Sequence, residues 1–147
     1  MILVLCLSGV VIYNVFFKKD EIVAAPVKET GTATITLRIY GAYPEWVETL
    51  VEGDELIIAD QLTDMKIISV THEKNLTTAT TAEGEVVVAE HPFCVDCTIV
   101  VKGSASRDAL GVTIMDELYR ESESKVLQTS SYYGSARVLD VQFEPAQ

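Results

Sequence analysis

Cys94-Val95-Asp96-Cys97 places two thiols three positions apart, the spacing of thiol redox pairs and of half a zinc site. A redox pair needs its first thiol at a helix N-terminus, where the dipole lowers its pKa, yet the flanks His91-Pro92-Phe93 and Thr98-Ile99-Val100-Val101-Lys102-Gly103 have strand composition. In a straight strand the two Cα atoms would stand about 10 Å apart, beyond disulfide reach unless a bulge or turn draws them together. For zinc, His72 and His91 would have to complete the ligand set from separate segments at no recognised spacing. Three readings stay open at this point: plain thiols, a structural disulfide, and a metal or redox pair.

Other chemistry-bearing residues are less specific. Two histidines among many serines allow a Ser-His-Asp pairing to be written for almost any chain, so no triad is argued. Asp54, Asp60 and Asp64 flank one loop but lack the alternating spacing of a calcium loop, which makes a solvated acidic rim the simpler account. Asn75-Leu76-Thr77 matches a glycosylation sequon, informative only in a eukaryotic secretory setting. Trp46 with Tyr40 and Tyr43 fits an aromatic plug at one end of a small barrel, with a ligand-stacking patch as the alternative.

The elements that would position these residues are mostly strands. Thr32 to Tyr40 alternates polar and apolar at every step, which sets Ala33, Ile35, Leu37 and Ile39 on one face. Gly41 breaks the run. Pro44 to Val51 carries Pro at a first-turn position with acids early, so a short helix is expected, burying Trp46, Val47 and Leu50. Glu55 to Ala59 and Met65 to His72 should pair as a hairpin across a loop of about five residues. Asn75 to Thr81 is threonine-rich and weakly patterned, as an exposed loop or frayed edge would be. Strand-like runs follow at 85–90 and 95–102, and Pro92 should end the first of them. Gly111 to Met115 is a short strand, Asp116 to Ser124 has no clean period, and Ala136 to Phe143 closes the chain with both faces partly apolar. About seven short strands and one or two helices suit a small β-barrel or sandwich.

Ahead of this lies Met1 to Phe17, MILVLCLSGVVIYNVFF, without a charged side chain and closed by Lys18-Lys19-Asp20-Glu21. A helix of that length spans about 25 Å. Snorkelling lysines would extend it toward the hydrocarbon thickness of about 30 Å, so a transmembrane anchor is expected over 1–17. A cleaved signal peptide would want basic residues before the apolar run, and none stand there. Residues 18–31 then serve as a linker and 32–147 as one β-rich domain. The net charge of −11 over 147 residues falls wholly outside the apolar segment, and it argues against a nucleic-acid partner. It also argues against adhesion to anionic lipid, leaving the apolar segment as the contact with membrane lipid.

The order of pieces, an apolar start, ITLRIYG, PEWVETL, VEGDEL, MKIISV, EGEVVVAE and RVLDVQF, resembles DUF4330, a family of uncharacterised bacterial membrane-anchored proteins. Leu50-Val51-Glu52-Gly53-Asp54 is the most specific piece, similar to that family's helix-to-strand turn. This chain departs from it at Asp64-Met65, where the family has a glycine before its next strand, and in having no charged stretch ahead of the apolar segment. The lysine flank by itself would place the domain in the cytoplasm. The resemblance, with a charged stretch upstream, implies an extracytoplasmic domain instead. It implies no activity. The expectation is a single-pass, non-enzymatic binding or scaffolding module at the cell envelope, associating with an envelope protein or with itself and calling for no cofactor. The alternative is thiol redox or metal chemistry at Cys94 and Cys97.

Overall fold

Alternation in the first strand decides the core. In the computed structural model, which describes residues 27–147, β1 (Glu29–Ala42) buries Ala33, Ile35, Leu37 and Ile39 and leaves Thr34, Thr36 and Arg38 partly accessible on the other face. The strand begins at Glu29, inside the stretch expected to be linker, because Glu29, Thr30 and Gly31 pair with Arg107, Ser106 and Ala105. The expected anchor at 1–17 and most of the linker lie outside the described residues. Among the described residues no helix is long and apolar enough to cross a membrane.

β1 is followed by a single helical turn, α1 (Pro44–Val47), with Pro at its start. The strands β2 (Glu55–Ile58), β3 (Gln61–Thr80), β4 (Val86–Asp108), β5 (Gly111–Ile114), β6 (Glu117–Tyr119), β7 (Ser124–Gln128) and β8 (Tyr133–Pro145) complete the domain. They form one antiparallel sheet in the order β2-β3-β4-β1-β8-β7, with the β5–β6 hairpin attached to the end of β4. The sheet curls until β2 and β7 lie against each other without pairing, a nearly closed barrel. The domain is thus mainly β, and its core is the inward row of β1 packed on Ile99 and Val101 of β4, Met65 and Ile67 of β3, Val138 of β8 and Leu127 of β7.

Several local expectations fail, each for a readable reason. The loop between β2 and β3 has two residues and not five, because Ala59 and Asp60 both take positive φ (49° and 61°), the twist that matches adjoining strands. Asp64-Met65 therefore lies inside β3. Met115 and Asp116 repeat the device (48° and 64°), so β6 forms within a charged stretch that shows no period. Asn75 to Thr81 is not a loop: β3 runs on to Thr80, paired with β4 as far as Val86. Pro92 does not end its strand either. It sits in a bulge, where Lys74 pairs with Val95 and Leu76 with Glu90, so that four β4 residues oppose the lone Asn75 and none needs a ladder N–H from proline. The mixed apolar pattern of the last strand also comes from a bulge. Thr36 pairs with Asp140 but Leu37 with Val138, which makes Leu139 the extra residue and moves the inward row from Ala136 and Val138 to Val141 and Phe143.

Candidate functional site

The features that do not serve the core gather at the end of the barrel where β1 finishes. There β1 stops pairing with β4 at Ala42–Val95, and β2 stops pairing with β3 at Lys66. From this point β3 and β4 leave the barrel as a two-stranded arm, 75–93, and among the described residues no strand lies on either outer edge. None of the residues from Leu76 to Glu90 is buried. Leu76, Val86, Val88 and Phe93 are 63%, 72%, 70% and 70% exposed, an amount of apolar surface unusual for so few residues.

At the root of the arm a buried carboxylate ties three strands together. Asp96 is opposite the Tyr40–Gly41 bulge of β1 and beside the bulge at Asn75, so both neighbouring ladders lose hydrogen bonds around it. Its side chain replaces them: Oδ1 accepts the Gly41 N–H (2.9 Å) and the Asn75 amide (2.7 Å), and Oδ2 accepts from Arg38 Nη2 (3.1 Å). Burial pushes this carboxyl toward neutrality, but the Gly41, Asn75 and Arg38 donors together outweigh it and hold its pKa below the ordinary aspartate value. Arg38 also pairs with the more exposed Glu73 at 2.8 Å and lies 5.2 Å from the Tyr40 ring centre. The Asn75 amide is thus committed within the sequon. The signal for Asp96 was present in the sequence as an acid inside the apolar run Val95-Asp96-Cys97-Thr98-Ile99, whereas its partners could be known only from the two bulges.

The two cysteines are brought near this root without being joined. Cys94 lies in the β4 bulge, half-buried, and Cys97 faces the core; both are free thiols. Burial pushes the Cys97 thiol up to about 11, which keeps it protonated and unreactive near neutral pH. His72 pairs with Cys97 in the ladder but is exposed, and His91 Nδ1 accepts the Phe93 N–H at 3.3 Å. Among the described residues no three His, Cys, Asp or Glu side chains converge as a metal site would require. The loop acids are also occupied locally: Asp54 accepts the Val51 N–H, and Asp64 accepts from the Ser104 backbone and hydroxyl on β4.

The aromatic plug does not form. Val47 and Leu50 supply the buried side of the α1 segment, while Trp46 is 59% exposed. Tyr43 meets Trp46 edge-on at 5.1 Å, but Tyr40 turns to the outer sheet face against Arg38.

A family model described as a domain of unknown function, DUF4330, matches residues 1–142. The chain belongs to this family. The match covers the apolar start as well as the β domain as far as Gln142 in β8, so the DUF4330 unit includes the arm, the Asp96 cluster and the aromatic end described above. Comparison with curated proteins and with solved structures returned no match.

Proposed function

We propose that this DUF4330 chain is a non-enzymatic binding or scaffolding module, held at the membrane by its N-terminal apolar segment with the β domain on the extracytoplasmic side. The β3–β4 arm is the part that engages an envelope partner or a second copy. One observation carries this reading: the arm adds nothing to the core, yet it presents apolar side chains and two strand edges that pair with no other strand among the described residues. A two-stranded ribbon is marginal in water by itself. Unpaired edges of this kind template the addition of another strand, which supplies main-chain hydrogen bonds for affinity and side-chain pockets for specificity. The Asp96 cluster supports the reading from below, because it fixes the arm's root where the ladders are broken. Thiol or metal chemistry, the alternative, would require Cys97 to leave the core.

A photo-crosslinking residue placed at Val88, on the arm, tests the proposal in native membranes. Covalent adducts of defined mass are expected there. The same residue at Leu110, 68% exposed in the β4–β5 turn at the opposite end, should give none. Adducts from Leu110 alone would move the binding surface to the other end of the barrel.

A further inference from the structure

We propose that the cleft between the α1 segment and the β7–β8 turn is a stacking site for one neutral sugar ring of an oligosaccharide. Its walls carry Trp46 on one side and Tyr133 on the other, 59% and 74% exposed. Glu45, Thr49, Ser131 and Tyr132 complete it. Neither exposed ring belongs to the core, to which these segments contribute Val47 and Leu127 instead.

The walls are held in place. Ser131 Oγ donates to the Thr49 carbonyl at 2.9 Å, bridging the two segments. Buried Thr129 accepts the N–H groups of Ser131 and Tyr132 at 3.3 and 3.1 Å, which sets the shape of the turn. The edge of Tyr43 against Trp46, 76° between planes, orients the indole. Gly134 lets the Tyr132 ring lie against β8, where a Cβ would come within 2.8 Å of Cζ. Rings fixed before binding lose little entropy when a ligand arrives.

The polar groups select the ligand. Each hydroxyl has one proton to give. Thr49 Oγ1 gives its own to the Trp46 carbonyl at 2.7 Å and Ser131 gives its own to Thr49, so both present lone pairs to the cleft. The Glu45 carboxylate also only accepts. A cleft that offers these acceptors together with three donors, the Trp46 Nε1–H and the Tyr132 and Tyr133 hydroxyls, beside exposed aromatic rings suits a molecule whose hydroxyls both donate and accept around an apolar C–H face, which is a pyranose. A proline-rich peptide, the usual rival for exposed tryptophan and tyrosine, brings carbonyl acceptors for those three donors but few N–H groups, and would leave the Thr49, Ser131 and Glu45 acceptors without a partner. Glu45, in a chain of net charge −11, disfavours anionic sugars. The volume, about 170 Å³, is below the roughly 300–1,000 Å³ of pockets that enclose whole ligands, so one ring is held and the rest of the chain stays outside.

Trp46 is the only tryptophan in the chain, so its fluorescence reports this site alone. The full chain, in a phosphocholine detergent free of sugar headgroups, is titrated with maltotriose, cellotriose and chitotriose, and with trigalacturonate and an oligoproline peptide as comparisons. At least one neutral trisaccharide should give a saturable emission shift with reduced acrylamide quenching. Tyr133→Ala should weaken that binding by about tenfold, the scale of one lost aromatic contact. Tyr133→Phe, which keeps the ring and the fold, should retain it, and Leu110→Ala should leave it unchanged. No saturable response to any neutral sugar, equal losses in the Phe and Ala variants, or saturation by oligoproline or trigalacturonate instead would overturn the proposal. None of these outcomes depends on whether the arm binds a partner.

Discussion

Asp96 joins the arm to the barrel, and its charge is what allows three donors to converge on it. Replacing it with Asn keeps the shape but removes the charge, which should cost about 1.5–3 kcal/mol at neutral pH, the range for hydrogen bonds to charged groups. Because the folded-state pKa is depressed, the carboxylate's contribution is complete above the unfolded value of about 3.9 and is lost as pH falls through the lower folded value. The stability gap between wild type and Asp96→Asn should therefore be constant from pH 7 to about 5 and close in more acidic solution. A gap unchanged down to pH 2 in denaturant titrations would mean that the charge is not what matters. Cys97 offers a second measurement at the same scale. With its thiol raised to about 11 by burial, it should stay unlabelled by iodoacetamide at pH 8 in the folded chain and label fully in urea, while half-buried Cys94 reacts before it. Mass spectrometry of the peptides distinguishes the two, and early labelling of Cys97 would show that the core opens there.

At the scale of elements, the sequence was legible where one period governed one strand. The alternation of β1 named its buried face correctly, and Leu37→Asp should unfold the domain by burying an unpaired charge, whereas Thr36→Asp should be tolerated within about 1 kcal/mol. Equal losses in thermal melts would mean that the outer face of β1 is covered too. Legibility failed where the backbone leaves its regular path. The bulge at Leu139 mixed two inward rows into one pattern, and the bulge at Pro92 hid the continuity of a 23-residue strand behind a residue that ordinarily ends one. The Ala59-Asp60 turn carries none of the glycine or asparagine that announces such turns, so a longer loop was expected. That turn makes its own prediction. Ala59→Asn with Asp60→Gly supplies residues suited to φ of 49° and 61° and should raise stability by about 1 kcal/mol, read as an increased Tm. A lowered Tm would mean that Ala59 or Asp60 makes a contact worth more than the relieved strain. Of the candidate sites, the thiol spacing was visible but chemically silent in the fold. Of the Asp96 cluster only the acid within an apolar run was visible, and of the cleft only Trp46, as part of a ligand-stacking patch; their other parts come from segments that only the tertiary structure brings together.

For the molecule as a whole, the division of labour is between a barrel that is stable by its core and an arm that is not part of it. The barrel's core residues, with the partly buried side chains packed on them, run from Ala33 to Phe143 and include nothing between Val70 and Val95. The acidic surface keeps such a domain soluble and repels anionic lipid. It leaves the apolar arm as the region where another chain would gain most by docking. The most direct test shortens the arm, replacing residues 77–89 with a two-residue Asn-Gly turn between Leu76 and Glu90, which pair across the two strands. Crosslinked species are then compared in native membranes between the full chain and the shortened one, with the Tm of each as the control for folding. The account predicts that the shortened chain keeps its Tm within a few degrees and loses the high-mass adducts. Adducts undiminished in a folded, shortened chain would contradict it.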